Sequence, residues 1–139
     1  MDVSITMSNE QILIKNVNKC FEIGRLGELY ALDIISLDIK KGEFFCLLGP
    51  SGCGKTTLLN ILAGFEKPTT GKVFIDGKEV TKPNSKYVTV FQEHGLFPWR
   101  NVLDNVKFGL EISGEEKQKI DKTSIKYIKL VGLEGFENS

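Results

Sequence analysis

The sequence predicts an α/β fold: an N-terminal antiparallel β-subdomain, a strand–loop–helix core unit, and the start of a helical subdomain. Three observations predict it. Residues 11–17 carry Ile12, Ile14 and Val17 on one side, and apolar and polar residues alternate through 35–39, the patterns of strands. A short apolar run at residues 43–48 leads into Gly49-Pro50-Ser51-Gly52-Cys53-Gly54, and residues 56–63 then carry apolar side chains at helical spacing. Beyond Asn101 the spacing is helical again, with Val102, Leu103, Val106 and Leu110 on one face.

The elements follow in order. Residues 1–10 are polar and read as a flexible N-terminus, so the folded domain is expected over 11–139. A first strand covers 11–17, with Ile12, Ile14 and Val17 turned inward, and residues 18–28, containing Gly24 and Gly27, read as a turn or hairpin loop. A second strand covers 30–39 and ends at the turn Lys40-Lys41-Gly42. The strand at 43–48 and the helix at 56–63 come next. Gly64 caps that helix and Pro68 prevents its continuation. Residues 70–80 read as two short strands joined at Asp76-Gly77, which makes Asp76 a turn residue rather than a metal-binding strand end. Residues 87–91, rich in β-branched and aromatic side chains, read as a buried strand, followed by a loop over 92–99. Asn101 caps one helix. Ser113-Gly114-Glu115-Glu116 has the spacing of a capping box opening another, which runs to about Val131 with Ile120, Ile125, Ile128 and Val131 on its apolar side and ends at Gly132. The tail, residues 133–139, closes no unit in this reading.

Composition narrows the function classes. Eighteen basic and eighteen acidic residues balance, so bulk charge gives no nucleic-acid footprint and no nucleic-acid partner is expected. No apolar run approaches the roughly 18 residues that span a bilayer. Met1-Asp2-Val3-Ser4 lacks the basic and apolar regions of a signal peptide, and Asp2 excludes myristoylation, so the chain reads as cytoplasmic. Cys20, Cys46 and Cys53, without a C-x-x-C pair, fit reduced thiols and no zinc site.

Gly49, Gly54, Lys55 and Thr56 fit the phosphate-loop pattern G-x-x-x-x-G-K-[ST]. The glycines let backbone N–H groups approach phosphate oxygens without a Cβ in the way. The helix beginning at the loop adds its free N–H groups and the positive end of its dipole. Lys55 is suited to the β- and γ-phosphates, and the Thr56 hydroxyl to Mg²⁺. Cys53 occupies a loop position that admits many small residues. The strand, glycine loop and helix together define a P-loop NTPase core.

Gln92 makes the pattern specific. With Val90-Phe91-Gln92-Glu93-His94-Gly95-Leu96-Phe97-Pro98-Trp99 following the phosphate loop, residues 11–139 resemble the ATP-binding subunit of ABC transporters. The resemblance implies an adenine-stacking role for Phe21, with Tyr30 the weaker candidate. It implies an ATP phosphate and Mg²⁺ site at Gly49, Pro50, Ser51, Gly52, Cys53, Gly54, Lys55, Thr56 and Thr57. Gln92 matches the glutamine that reaches Mg²⁺ and the attacking water, which makes Lys55 and Gln92 the candidate catalytic residues and Thr56 and Gln92 the metal-side pair. Glu93 and His94 read as loop positions without a catalytic part. The implied partners are membrane subunits touching the Gln92 loop, a second ATP-binding subunit, and indirectly a solute-binding protein. The implied setting is the inner face of the cell membrane. The phosphate-loop wording with Leu96-Phe97-Pro98-Trp99 is most similar to importers of the nitrate, sulfonate and taurine group.

The departure from the family pattern is an absence. The sequence contains no Leu-Ser-Gly-Gly signature, no later apolar strand ending in Asp-Glu and no late switch histidine. It therefore reads as an incomplete nucleotide-binding domain stopping before the signature, able to bind nucleotide weakly and to hydrolyse almost none. Two alternatives stand beside this reading. One is a non-catalytic nucleotide-binding remnant. The other is a kinase of the guanylate kinase type, which shares Gly-Pro-Ser-Gly but places it close to the N-terminus.

Overall fold

The computed structural model describes residues 10–92 and 95–139. The expected flexible N-terminus, apart from Glu10, and the expected roles of Glu93 and His94 lie outside the described residues. Two compact units are present, Met1–Thr89 and Val90–Ser139.

In the first unit an antiparallel sheet has the order β2-β1-β3-β4. Its strands are β1 (Glu10–Glu22), β2 (Glu28–Lys40), β3 (Thr70–Ile75) and β4 (Lys78–Glu79). β1 does not stop at Val17 as its local pattern predicts. Cys20 pairs with Tyr30, Phe21 with Leu29 and Glu22 with Glu28, so most of the expected loop is ladder, and only a 3-10 turn at Gly24–Leu26 closes the hairpin. Cross-strand pairing outweighs the weak strand propensity of Asn18 and Lys19. β1 is also bulged: Asn16 has φ 48° and the register shifts beside it. Its N–H donates to Ser36 Oγ, and that hydroxyl donates back to Asn16 Oδ1, both at 3.0 Å. Asp76 and Gly77 have φ of 48° and 74°. Two consecutive positive values are those of a type I′ turn, so Asp76 is the turn residue its Asp-Gly context predicts.

Helix α1 (Lys55–Ala63) packs across the sheet and ends at Gly64, whose N–H donates to Ile61 O. Leu58 and Ile61 bury against Ile14, Val17, Leu32 and Val73, which form the core. That core holds the helix, and so the phosphate loop at its start, on the sheet. Beside it an apolar cavity of about 530 Å³ is lined by residues including Ile12, Leu37, Ile39, Phe44, Leu47 and Leu62.

Two expected strands are not strands. Residues 43–48 join no ladder, and Phe44 and Leu48 are each 92% exposed. Residues 87–91 likewise form no strand, and the expected burial fails at Val88 and Val90, which are 87% and 91% exposed. An apolar run of this kind is a strand only when neighbours complete both its edges and its faces. Neither run has such neighbours among the described residues.

In the second unit, α2 (Val102–Ile112) and α3 (Lys117–Leu130) pack together. Asn101 caps α2 as expected, its Oδ1 accepting the Asp104 N–H at 2.8 Å. The capping box does not form. Ser113 ends α2 instead, its Oγ donating to Gly109 O at 2.8 Å, and α3 starts after Glu116 with no side-chain cap. The i−4 carbonyl of the preceding turn outcompetes the N–H groups ahead. Ile120 and Ile128 are buried with Ser124 between them, Ile125 is half-buried, and Val131, expected inside, is exposed. The tail is not idle: the carbonyls of Ser139 and Glu137 accept the N–H groups of Val102 and Leu103 at 3.0 Å each, satisfying donors that a helix start leaves open.

Candidate phosphate-binding site

Residues 49–54 connect residues 43–48 to α1, and Gly54 is the residue on which the loop turns into the helix. Its φ is 92°, and a Cβ there would lie 2.4 Å from Ala31 O and 2.6 Å from Leu32 Cδ2. The helix start therefore sits directly against β2, closer than any side chain allows. No side chain caps α1. The N–H groups of its first turn, at Lys55, Thr56 and Thr57, are those that an anion can take.

Lys55 curls back over the loop. Its Nζ donates to Gly49 O at 2.9 Å and Pro50 O at 2.6 Å, and lies 3.5 Å from Cys53 Sγ. A full positive charge is thus held at the mouth of a ring of backbone groups, beside the positive end of a helix. This is an arrangement for a polyanion. Cys53 also packs on the loop, with its Sγ 2.7 Å from where a Cβ on Gly49 would stand. Ser51, Gly52, Cys53 and Thr56 are exposed. The Thr56 hydroxyl suits a hard cation shared with phosphate oxygens. Among the described residues no cluster of three acidic, histidine or cysteine side chains could hold a metal alone. Any Mg²⁺ here would draw most of its ligands from phosphate and water.

Phe21 lies in the same unit, near the end of β1 and half-buried. Lys19 Nζ stands 4.6 Å from the centre of its ring. The same ammonium donates to Glu66 Oε1 at 2.6 Å and to Lys67 O at 2.9 Å, and the Lys19 side chain is only 12% exposed. The Lys19 hydrogen bond is the main reason that the Glu66 carboxyl titrates below the ordinary glutamate range. Tyr30, opposite Cys20, is 65% exposed and donates to Glu28 Oε2 at 2.9 Å, which pushes its phenol upward. Gln92 belongs to the second unit and is exposed. Residues 97–101 are held by Asn105, whose Oδ1 accepts the Phe97 N–H at 2.9 Å and whose Nδ2 donates to the carbonyls of Phe97, Arg100 and Asn101. Arg100 lies over the Phe108 ring at 4.9 Å.

The loop at 49–54 is legible in the sequence, whereas the contacts of Lys19, Glu66 and Asn105 are not. The i, i+2 spacing of Lys19 and Phe21 is a weak signal, because the ladder is irregular between Lys19 and Cys20. The contacts to Glu66 and from Asn105 cross between elements and have no local signature.

A loop, helix and ammonium arranged in this way are the arrangement of the P-loop class. Residues 32–139 match the family model described as ABC transporter, and the chain belongs to that family. It is 49% identical over 129 residues to an uncharacterized ABC transporter ATP-binding protein of Methanocaldococcus jannaschii, covering 93% of this chain and 48% of that protein. It is 41% identical over 128 residues to the taurine import ATP-binding protein TauB of Pelagibacter ubique, covering 92% and 48%. A solved ATP-binding cassette, dimeric in a post-hydrolysis state with ADP and Pi bound, is similar at a TM-score of 0.75 and 34% identity over 91% of this chain and 60% of that one. The chain spans about half the length, or less, of the curated relatives it matches. The family match sets aside the guanylate kinase alternative. Among the described residues no helix is long and apolar enough to cross a membrane.

Proposed function

We propose that residues 11–139 are part of the ATP-binding domain of an ABC importer subunit, one that couples ATP binding and hydrolysis to solute uptake. The observation that carries this reading is the Lys55 ammonium held over the mouth of the 49–54 loop at an uncapped helix start. On binding, Lys55 leaves the Gly49 and Pro50 carbonyls for the β- and γ-phosphate oxygens of ATP. The loop N–H groups and the start of α1 hold the same phosphates. The Thr56 hydroxyl would hold Mg²⁺, which would neutralise phosphate charge, and Gln92 is the second residue proposed to serve that ion. Phe21 stacks on the adenine. Hydrolysis is then a matter of positioning water and stabilising charge, with Gln92 orienting the nucleophile.

The resemblance to import subunits supports a cytoplasmic protein on the inner membrane face, paired with a second ATP-binding subunit and docked on membrane subunits through the Gln92 loop. A solute-binding protein would act upstream. Phosphate release from MgATP by the 139-residue chain tests the catalytic part. The account expects saturable binding with release at or near background, because the sequence contains no Asp-Glu strand end to polarise water. Robust release that Lys55→Ala abolishes would overturn that expectation. Absence of binding would overturn the nucleotide-binding part of the reading.

A further inference from the structure

We propose that Lys19 is a positioning residue of the base subsite, holding the Phe21 ring for stacking and tying it to the far end of the phosphate-loop helix. The proposal rests on the reading that Phe21 takes the adenine. Lys19 and Phe21 are two residues apart on β1, and the Lys19 ammonium lies over the Phe21 ring. With the ammonium 4.6 Å from the ring centre, one face of Phe21 is taken by a cation, and a flat base can use only the other. The lysine is itself anchored, by the 2.6 Å ion pair with Glu66 and the 2.9 Å bond to Lys67 O, with its side chain 12% exposed. β1 carries the ring and Lys19 covers it, while Glu66 and Lys67 O hold the lysine.

The anchor has a direction. Glu66 follows the cap of α1, its N–H and that of Phe65 both donating to Asn60 O. Thr69 stitches the same segment to β1, its Oγ1 accepting the Cys20 N–H at 2.9 Å and its N–H donating to Asn18 O at 2.9 Å. The N-terminus of α1 meets phosphate and its C-terminal extension meets the lysine behind Phe21. One rigid helix thus sets the separation between the phosphate and base subsites.

The test is calorimetric titration of the whole chain with MgATP and, separately, with magnesium tripolyphosphate, which has no base. Lys19→Met is expected to weaken MgATP roughly three- to tenfold while tripolyphosphate affinity stays within about twofold. Lys19→Arg, which keeps a cation able to reach both the ring and Glu66, restores MgATP binding. The double variant Lys19→Met/Phe21→Ala binds MgATP no more weakly than Phe21→Ala alone, because both remove the same subsite. Parent-like MgATP affinity in Lys19→Met, with Phe21→Ala weakened, overturns the proposal and leaves the stacking reading intact. Equal loss of both ligands in Lys19→Met also overturns it, since the lysine would then be merely structural. Undiminished MgATP affinity in Phe21→Ala, or no binding by the parent, removes the stacking reading and the proposal with it.

Discussion

Single atoms set the limits of this molecule. At Gly54 a methyl group would overlap Ala31 O at 2.4 Å, on a backbone with φ 92° that side-chain-bearing residues rarely adopt. Gly54→Ala is therefore expected to cost at least about 2 kcal/mol, since backbone strain and a steric clash act together. Chemical denaturation against the parent measures it. Ser124 presents the opposite case. It is fully buried on α3 between Ile120 and Ile128, and its Oγ has no hydrogen-bond partner among the described residues. A desolvated hydroxyl without a partner opposes folding. Ser124→Ala is expected to leave stability unchanged or raise it by up to about 1 kcal/mol. A loss of more than that in thermal unfolding would mean that the hydroxyl has a partner.

Among the elements, the helix pair carries a pH-dependent contact. Lys107 Nζ and Asp121 Oδ1 are 2.6 Å apart. The hydrogen bond between them is the main cause of both the raised lysine and the lowered aspartate. The lowered carboxyl contributes stability that is full above its ordinary value of about 3.9 and is lost as pH falls through the folded value. The raised lysine contributes stability that is full below its ordinary value of about 10.4 and is lost as pH rises through the folded value. The α2–α3 pair is therefore expected to hold its stability between about pH 5 and 10 and to lose some in acid. Helicity followed through thermal unfolding in a pH series checks this, and Asp121→Asn should flatten the acid limb. The contact is half exposed, so the effect is small. The elements also differ in how far the sequence reveals them. Asn101, the Asp76-Gly77 turn and the spacing of Leu58 and Ile61 are local signals, and each marks the element it predicts. Residues 43–48 and 87–91 have the composition of strands, but a strand is completed by neighbours, which composition does not supply. Ser113 had two possible hydrogen-bond directions, and spacing alone could not choose between them.

At the scale of the whole molecule, the residues proposed to hold phosphate, 49–57, all lie in the first unit. The sheet core seats α1, α1 seats the loop, and Lys55 waits on the loop carbonyls. This much was legible because a phosphate loop is a contiguous motif whose geometry follows from its own glycines and helix. The proposed base subsite was legible only at Phe21, since Lys19 and Glu66 meet through tertiary structure. Family membership and a nucleotide site are thus separable claims, and the second is the central one. The most direct test is isothermal titration of MgATP into the 139-residue chain and its Lys55→Ala variant. The account predicts saturable one-site binding by the parent and at least a tenfold loss, roughly, in the variant, as removal of a charge-assisted phosphate contact requires. Equal affinity of the two proteins, or no binding by the folded parent, would contradict it.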